Sequence, residues 1–229
     1  MKNLFLLEID CDWTEQRCQE ALQKLPPEVQ QRAQRYRNPQ ARSCLLATQI
    51  ALRSLLRELS IDENKLAVCE KGRPFLQGGP LQFNLSHSEK RGVLALAKDS
   101  TLINGLGVDI EWTNRSVNRS ALAKRFFTPR ESREAQSSKL GFFRIWTRKE
   151  AVLKTNGIGL RVPLDSFEVL EDQVGENVTG RPVQLGTSQR PGNYLISWAV
   201  ASDWGSYSTH WFHSSQNDWL ATLAGGINA

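Results

Sequence analysis

Two features of the 229-residue chain read as α+β. A long amphipathic helix predicted over 41–59 leads into about three strands, and a second over 140–156 does the same. Glycine and proline punctuate the strands in both places. No residue-level repeat is visible, so duplication is suggested by element order alone. The two stretches divide the chain into 1–104 and 105–229.

Residues 3–10 read as a strand. Asp12 with Glu15 forms a possible capping box for a helix ending before Pro26-Pro27. A short basic helix over 28–36 carries Arg32 and Arg35. The helix over 41–59 sends Leu45, Ile50, Leu52, Leu55 and Leu56 to the core. Strands are predicted around 67–70, 81–85 and 93–97, with Gly72, Pro74, Gly78, Gly79 and Pro80 in the turns. Thr128-Pro129-Arg130-Glu131 opens a helix with a cap, a first-turn proline and a capping-box Glu. The helix near 140–156 stops at Gly157, Gly159 and Pro163. Strands follow around 166–170, 182–185, 194–201 and 207–212, and 218–223 forms one or two last helical turns.

With 40% hydrophobic and 23% charged residues, the composition is that of an ordinary soluble protein. A net charge of +5 and a pI near 9.2 suit an anionic ligand, an acidic partner or nucleic acid without choosing among them. Cys11, Cys18, Cys44 and Cys69 have neither C-x-x-C nor zinc spacing, so free thiols in a reducing, cytoplasmic compartment are expected. The apolar run 4–7 is too short for a signal peptide, and no stretch reaches membrane-spanning length.

Residues 105–154 organise the chain. In Gly-Leu-Gly-Val-Asp-Ile-Glu-Trp (105–112), Val108 and Ile110 alternate with Asp109 and Glu111, which places the two acids on one face of a strand. In Phe-Arg-Ile-Trp-Thr-Arg-Lys-Glu-Ala-Val-Leu-Lys (143–154), Trp146, Glu150 and Lys154 recur every four residues along one side of a helix. Were that helix to bring Glu150 beside the strand, three carboxylates would need a cation between them. Hard oxygen ligands favour Mg²⁺, and a lysine one turn away suggests a phosphate. Either fragment alone is more often a solvated face.

Together the fragments are more specific. Gly-Val-Asp-Ile-Glu followed some forty residues later by Trp-Thr-Arg-Lys-Glu-Ala-Val-Leu-Lys resembles the 4′-phosphopantetheinyl transferases, in particular the long, monomeric Sfp-like type. Gly72-Arg73-Pro74 and Asn-Leu-Ser-His-Ser (84–88) stand in the family's order. The resemblance spans roughly 32–164. It implies two similar α+β halves related by a pseudo-twofold, with the active site at their junction. It also implies transfer of phosphopantetheine from coenzyme A to a serine of an apo acyl or peptidyl carrier protein, releasing adenosine 3′,5′-bisphosphate.

By the same resemblance Asp109, Glu111 and Glu150 match the Mg²⁺ ligands. Glu150, or a metal-bound water that it orients, would take the serine proton. Lys154 matches a pyrophosphate contact. Ser86 and His87 match coenzyme A contacts, with His87 in a catalytic role; a lone histidine is otherwise more often structural, which is how His210 and His213 are read. Gly72 and Arg73 occupy a basic coenzyme A contact that is usually lysine, and arginine keeps its charge. Lys71 beside it has a less certain role. Arg42 and Ser43 match a pair opening the long helix near the 3′-phosphate. Upstream, Glu28, Gln30 and Gln31 stand where some relatives have lysines. Arg32 and Arg35 either substitute for these or form a solvated basic face.

Rival readings are a nucleic-acid-binding protein, a Mg²⁺-dependent nuclease and a carrier-binding module without catalysis. None explains the four motifs in this order with Asp109, Glu111, Glu150 and Lys154 intact. A monomer with no membrane and no nucleic-acid partner is expected. Phe126-Phe127 with Arg130 and Arg133 is a candidate carrier-docking patch, or else the two phenylalanines are core.

Overall fold

The computed structural model describes residues 2–69, 72–79, 81–99, 105–155 and 162–229. The apolar run that opens the chain forms strand β1 (Lys2–Asp10), in which Leu4 and Leu6 face one way and Phe5, Leu7 and Ile9 the other. Helix α1 (Glu15–Gln23) is capped by the Thr14 side chain, so the expected cap at Asp12 is displaced by two residues. Thr14 Oγ1 reaches Arg17 N, whereas Asp12 lies before the helical backbone begins. Helices α2 (Pro27–Gln34) and α3 (Pro39–Glu58) each place a proline in the first turn, where its missing N–H has no intrahelical partner to lose. Asn38 caps α3 through Gln40 N and Ala41 N.

A short hairpin of β2 (Leu66–Val68) and β3 (Pro74–Leu76) precedes β4 (Leu81–Ser88), β5 (Arg91–Lys98) and β6 (Leu106–Trp112). Helix α4 (Arg119–Phe126) was not anticipated; α5 (Pro129–Ser137) carries the predicted capping box between Thr128 and Glu131. Then come α6 (Lys139–Thr155), β7 (Gln173–Val174), the single turn α7 (Glu176–Thr179), β8 (Val183–Arg190), β9 (Tyr194–Ala201), β10 (Tyr207–His213) and α8 (Trp219–Asn228). The strand expected over 166–170 is absent: Leu164–Ser166 is a 3₁₀ turn, and the carbonyls of Phe167 and Val169 accept from Lys149 and Arg148 instead of a neighbouring strand. Glu70, Lys71, Pro80, Gly157 and Gly159 lie outside the described residues.

The strands make two four-stranded sheets, ordered β10-β1-β5-β4 and β6-β9-β8-β7. β10 pairs parallel with β1, so the chain beyond residue 207 returns to the first sheet, and α8 packs beside it. The molecule is layered. α3 and α8 cover one face of the first sheet through Leu52, Leu55, Leu223 and Ile227. The other face meets the second sheet across a core of Leu4, Leu6, Val93, Val108, Ile110 and Ile196. α6 covers the far face of the second sheet through Phe143, Ala151 and Val152. Apolar side chains on both faces of β1, β5 and β9 follow from this burial on two sides.

Two features bind the layers at their edges. Buried Glu8 on β1 accepts from Arg190 Nε on β8 at 2.7 Å and from Arg91 Nη1 on β5 at 2.9 Å. β4 and β6, the edge strands of the two sheets, lie side by side and are joined by side chains. Val108 N donates to Asn84 Oδ1 at 3.0 Å and Trp112 N to Ser88 Oγ at 3.1 Å. Two edge N–H groups of β6 are thereby satisfied by side chains.

Candidate active site

The β4–β6 seam is where the predicted residues gather. Strand alternation turns Asn84, Ser86 and Ser88 towards β6, and Gly107, Asp109 and Glu111 towards α6. Gly107 is required here for close approach, because a Cβ would sit 2.0 Å from the Ala151 carbonyl oxygen. With hydrogen alone at that position, α6 lies directly against β6 and brings its Trp146–Glu150–Lys154 stripe to the acids.

Lys154 Nζ donates to Asp109 Oδ1 at 2.6 Å and to Ser86 Oγ at 2.8 Å, while Ser86 Oγ donates to the same Asp109 oxygen at 2.8 Å. The other oxygen of Asp109, Oδ2, is buried and has no hydrogen-bond partner among the described residues. Glu111 accepts from Ser88 Oγ and from Arg115 Nη2, each at 2.8 Å. Burial and the charge of Asp109 push Glu111 up to about 7, against the pull of Arg115, Ser88 and Lys154. Glu150 is also raised by burial and by Asp109, with Lys154 opposing.

These groups line a cavity of about 550 Å³. Its walls are Arg32 from α2 and Tyr36 just after it; Leu45, Thr48 and Gln49 from α3; Gly72, Arg73 and Pro74 from the β2–β3 hairpin; Asn84 to His87 from β4; Asp109 and Glu111 from β6; and Trp146, Glu150, Leu153 and Lys154 from α6. Arg73 Nη1 donates to the Thr155 carbonyl at 2.6 Å, capping α6 while facing the cavity, and burial draws its guanidinium below its usual range. Gly72 has φ +81°, a left-handed conformation that glycine adopts without strain. One wall thus offers cations to an anionic ligand and the seam offers carboxylates. That combination suits a phosphate ester met by a hard cation.

Not every predicted residue arrives there. Arg42 is turned towards α1 and ion-paired with Glu15, and Ser43 is buried with its hydroxyl donating to the Cys11 carbonyl at 2.5 Å. Neither belongs to the cavity wall, because the helical period of α3 aims Leu45, Thr48 and Gln49 at it. Arg32 lines the cavity and Arg35 does not. Asp109, Glu111 and Glu150 share the wall, yet among the described residues no group of three or more Asp, Glu, His or Cys is gathered to hold a metal. Phe127 is core, and Phe126 packs edge-on against Trp146 at 6.0 Å. Arg130 is engaged by Glu168 and Glu171, so the proposed docking patch does not form as a unit. His210 stacks on Phe5 and pairs with Asn3, and His213 meets Ser215.

Sequence reasoning gave Asn84 and Ser88 no role beyond their place in the 84–88 motif, and overlooked Tyr36, Gln49 and Arg115. The period-two spacing of 84, 86 and 88 opposite 107, 109 and 111 was a usable signal for the first two. Within the helix motif, Arg148 and Lys149 are structural. Lys149 is paired with Glu131 at 2.8 Å, both side chains almost wholly buried, and Arg148 Nη1 donates to the Val169 carbonyl at 2.9 Å.

Among the described residues no helix is long and apolar enough to cross a membrane. The sequence model of the 4′-phosphopantetheinyl transferase superfamily matches residues 105–223. The chain is 33% identical over 178 residues to 4′-phosphopantetheinyl transferase HetI of Nostoc sp., an alignment covering 72% of each protein. It is 30% identical over 161 residues to 4′-phosphopantetheinyl transferase Sfp of Bacillus subtilis, covering 66% of this chain and 69% of that one. With the acid-bearing strand and the Lys-Glu helix both inside the matched region, the chain belongs to the 4′-phosphopantetheinyl transferase superfamily and is a transferase.

Proposed function

We propose that this transferase moves 4′-phosphopantetheine from coenzyme A to a serine of an apo acyl or peptidyl carrier protein, releasing adenosine 3′,5′-bisphosphate, with Mg²⁺ required. The observation that carries the reading is the divided Asp109 carboxylate. One oxygen is held by Lys154 and Ser86, and the other is buried without a hydrogen-bond partner among the described residues. A buried, unsatisfied carboxylate oxygen is costly unless a cation meets it. Glu111 and Glu150 line the same cavity, and an all-oxygen donor set suits Mg²⁺. When bound, Mg²⁺ supplies neutralisation of charge on the pyrophosphate.

The chain's own residues account for the rest. Lys154 has a third N–H, with no partner among the described residues, to donate to a pyrophosphate oxygen while it keeps Asp109 and Ser86. Arg32 and Arg73 face the cavity as partners for the donor's phosphates, with His87 beside them. Glu150, whose proton affinity is raised by burial, takes the proton of the carrier serine as its oxygen attacks phosphorus. The bond from that phosphorus to the adenosine bisphosphate oxygen then breaks. The cavity draws its walls from both sheets of one chain, which suits a monomer, and four free cysteines suit a reducing cytoplasm.

The test is the intact mass of an apo carrier protein incubated with this protein, coenzyme A and Mg²⁺, with and without EDTA. The expected result is a Mg²⁺-dependent gain of one phosphopantetheine on the carrier serine. Coenzyme A binding without any transfer, across acyl and peptidyl carriers, would refute the proposal.

A further inference from the structure

The two acids of β6 are held differently. Asp109 keeps one oxygen without a hydrogen-bond partner among the described residues, whereas both oxygens of Glu111 are engaged by residues outside the cavity wall. Ser88 Oγ donates to Glu111 Oε2 at 2.8 Å and also accepts from Trp112 N at 3.1 Å, so backbone and carboxylate fix its rotamer together. Ser88 and Glu111 are both buried. On the other side Arg115 Nη2 sits 2.8 Å from Glu111 Oε1, with the guanidinium 5.7 Å from the Phe143 ring centre. The Arg115 side chain is 31% exposed, yet its Nε is buried and has no hydrogen-bond partner among the described residues. Arg115 is thus anchored chiefly through Glu111.

We propose that Ser88 and Arg115 set, in opposite directions, how Glu111 receives a divalent cation. Ser88 is a positioning residue: its neutral hydroxyl holds the carboxylate in one orientation and removes the cost of ordering it when a cation arrives. Arg115 is a built-in counter-charge: it occupies Oε1 and places a positive charge beside any cation that Glu111 serves. The inference rests on the reading that the acid cluster takes a divalent cation. It adds two residues outside both the strand and helix motifs that tune that binding.

The experiment titrates Mn²⁺ into the full-length protein with coenzyme A present, reading free Mn²⁺ by electron paramagnetic resonance, and records the melting temperature of each sample. S88A is expected to bind Mn²⁺ about tenfold more weakly, and S88T, which keeps the hydroxyl, to restore most of the affinity. R115Q is expected to bind about threefold more tightly at low salt, the gain shrinking towards about 1 M KCl as the charge is screened. A residue with only a packing role would lower the melting temperature and leave these affinities alone. Because S88A strips the Trp112 N–H of its acceptor, part-exposed R115Q keeps the test decisive if S88A does not fold. Unchanged affinity in folded S88A overturns the role of Ser88, and unchanged or weaker binding in R115Q overturns that of Arg115. A wild-type protein that binds coenzyme A but no Mn²⁺ overturns the cation reading itself.

Discussion

Gly107→Ala tests the seam most directly, because one methyl group is placed where the two motifs meet. Its Cβ would lie 2.0 Å from the Ala151 carbonyl oxygen and 2.9 Å from Thr155 N, both backbone atoms of α6 that cannot rotate aside. An ordinary carbon–oxygen contact is roughly 3.3 Å, so α6 must retreat by about 1.3 Å. Lys154, now 2.6 Å from Asp109 Oδ1, would then leave hydrogen-bonding range, and Glu150 would move with it. Overpacking of this kind costs about 1–3 kcal/mol, or several degrees in melting temperature for a chain of this size. A displacement near 1 Å at the reacting groups lowers turnover by about a hundredfold. The assay is carrier modification by mass spectrometry beside a thermal melt. Gly225→Ala serves as control, since a Cβ there meets nothing within 4 Å and alanine favours the helix. A G107A protein with near-normal turnover and melting temperature would refute the argument that this glycine sets the distance between acids and lysine.

Three further outcomes follow from the same geometry. Lys149→Met should cost about 3–5 kcal/mol, since it strands Glu131, whose side chain is 0% exposed, and leaves the Leu164 and Phe167 carbonyls unpaired; an unchanged denaturation midpoint would remove Lys149 from the core. Its neighbour behaves oppositely: Glu150→Gln should leave the melt intact and reduce transfer at least a hundredfold, and near-normal turnover in that variant excludes Glu150 as the base. Glu111 gives a pH signature. Its proton is held up to about 7 in the fold, from 4.5 ordinarily, so the folded chain binds more protons than the unfolded one across that window. Stability is therefore lost as pH rises through it, by about 3 kcal/mol near pH 8 without divalent cations. Glu111→Gln should be more stable than wild type near pH 8 and close to it near pH 4; equal differences at both, by urea denaturation, would contradict this.

Much of this was legible in the residues. The alternation of Val108 and Ile110 with Asp109 and Glu111 gave the strand and its acid face, and the four-residue spacing of Trp146, Glu150 and Lys154 gave the helix stripe, because both periods are local properties of the backbone. The Thr128–Glu131 capping box was read correctly for the same reason. Local signals failed where tertiary partners compete. Arg42 looks like an anion ligand at a helix start, yet Glu15 on a neighbouring helix holds it. The apolar stretch 166–170 has strand composition, but the buried Arg148 and Lys149 claim its carbonyls. Phe127, which the residues left open between docking patch and core, fills the core beside Phe142.

By itself, then, the sequence determined the α+β class, the acid and lysine faces and the family to which they belong. Only the tertiary structure decided which of those faces meet: that β4 and β6 adjoin edge to edge, that Gly107 lets α6 close over them, and that Arg32 rather than Arg42 reaches the cavity. Periodicity fixes the direction a side chain takes from its own strand or helix. What it meets there depends on the packing of elements distant in the chain, which burial and close contact settle only once the chain has folded.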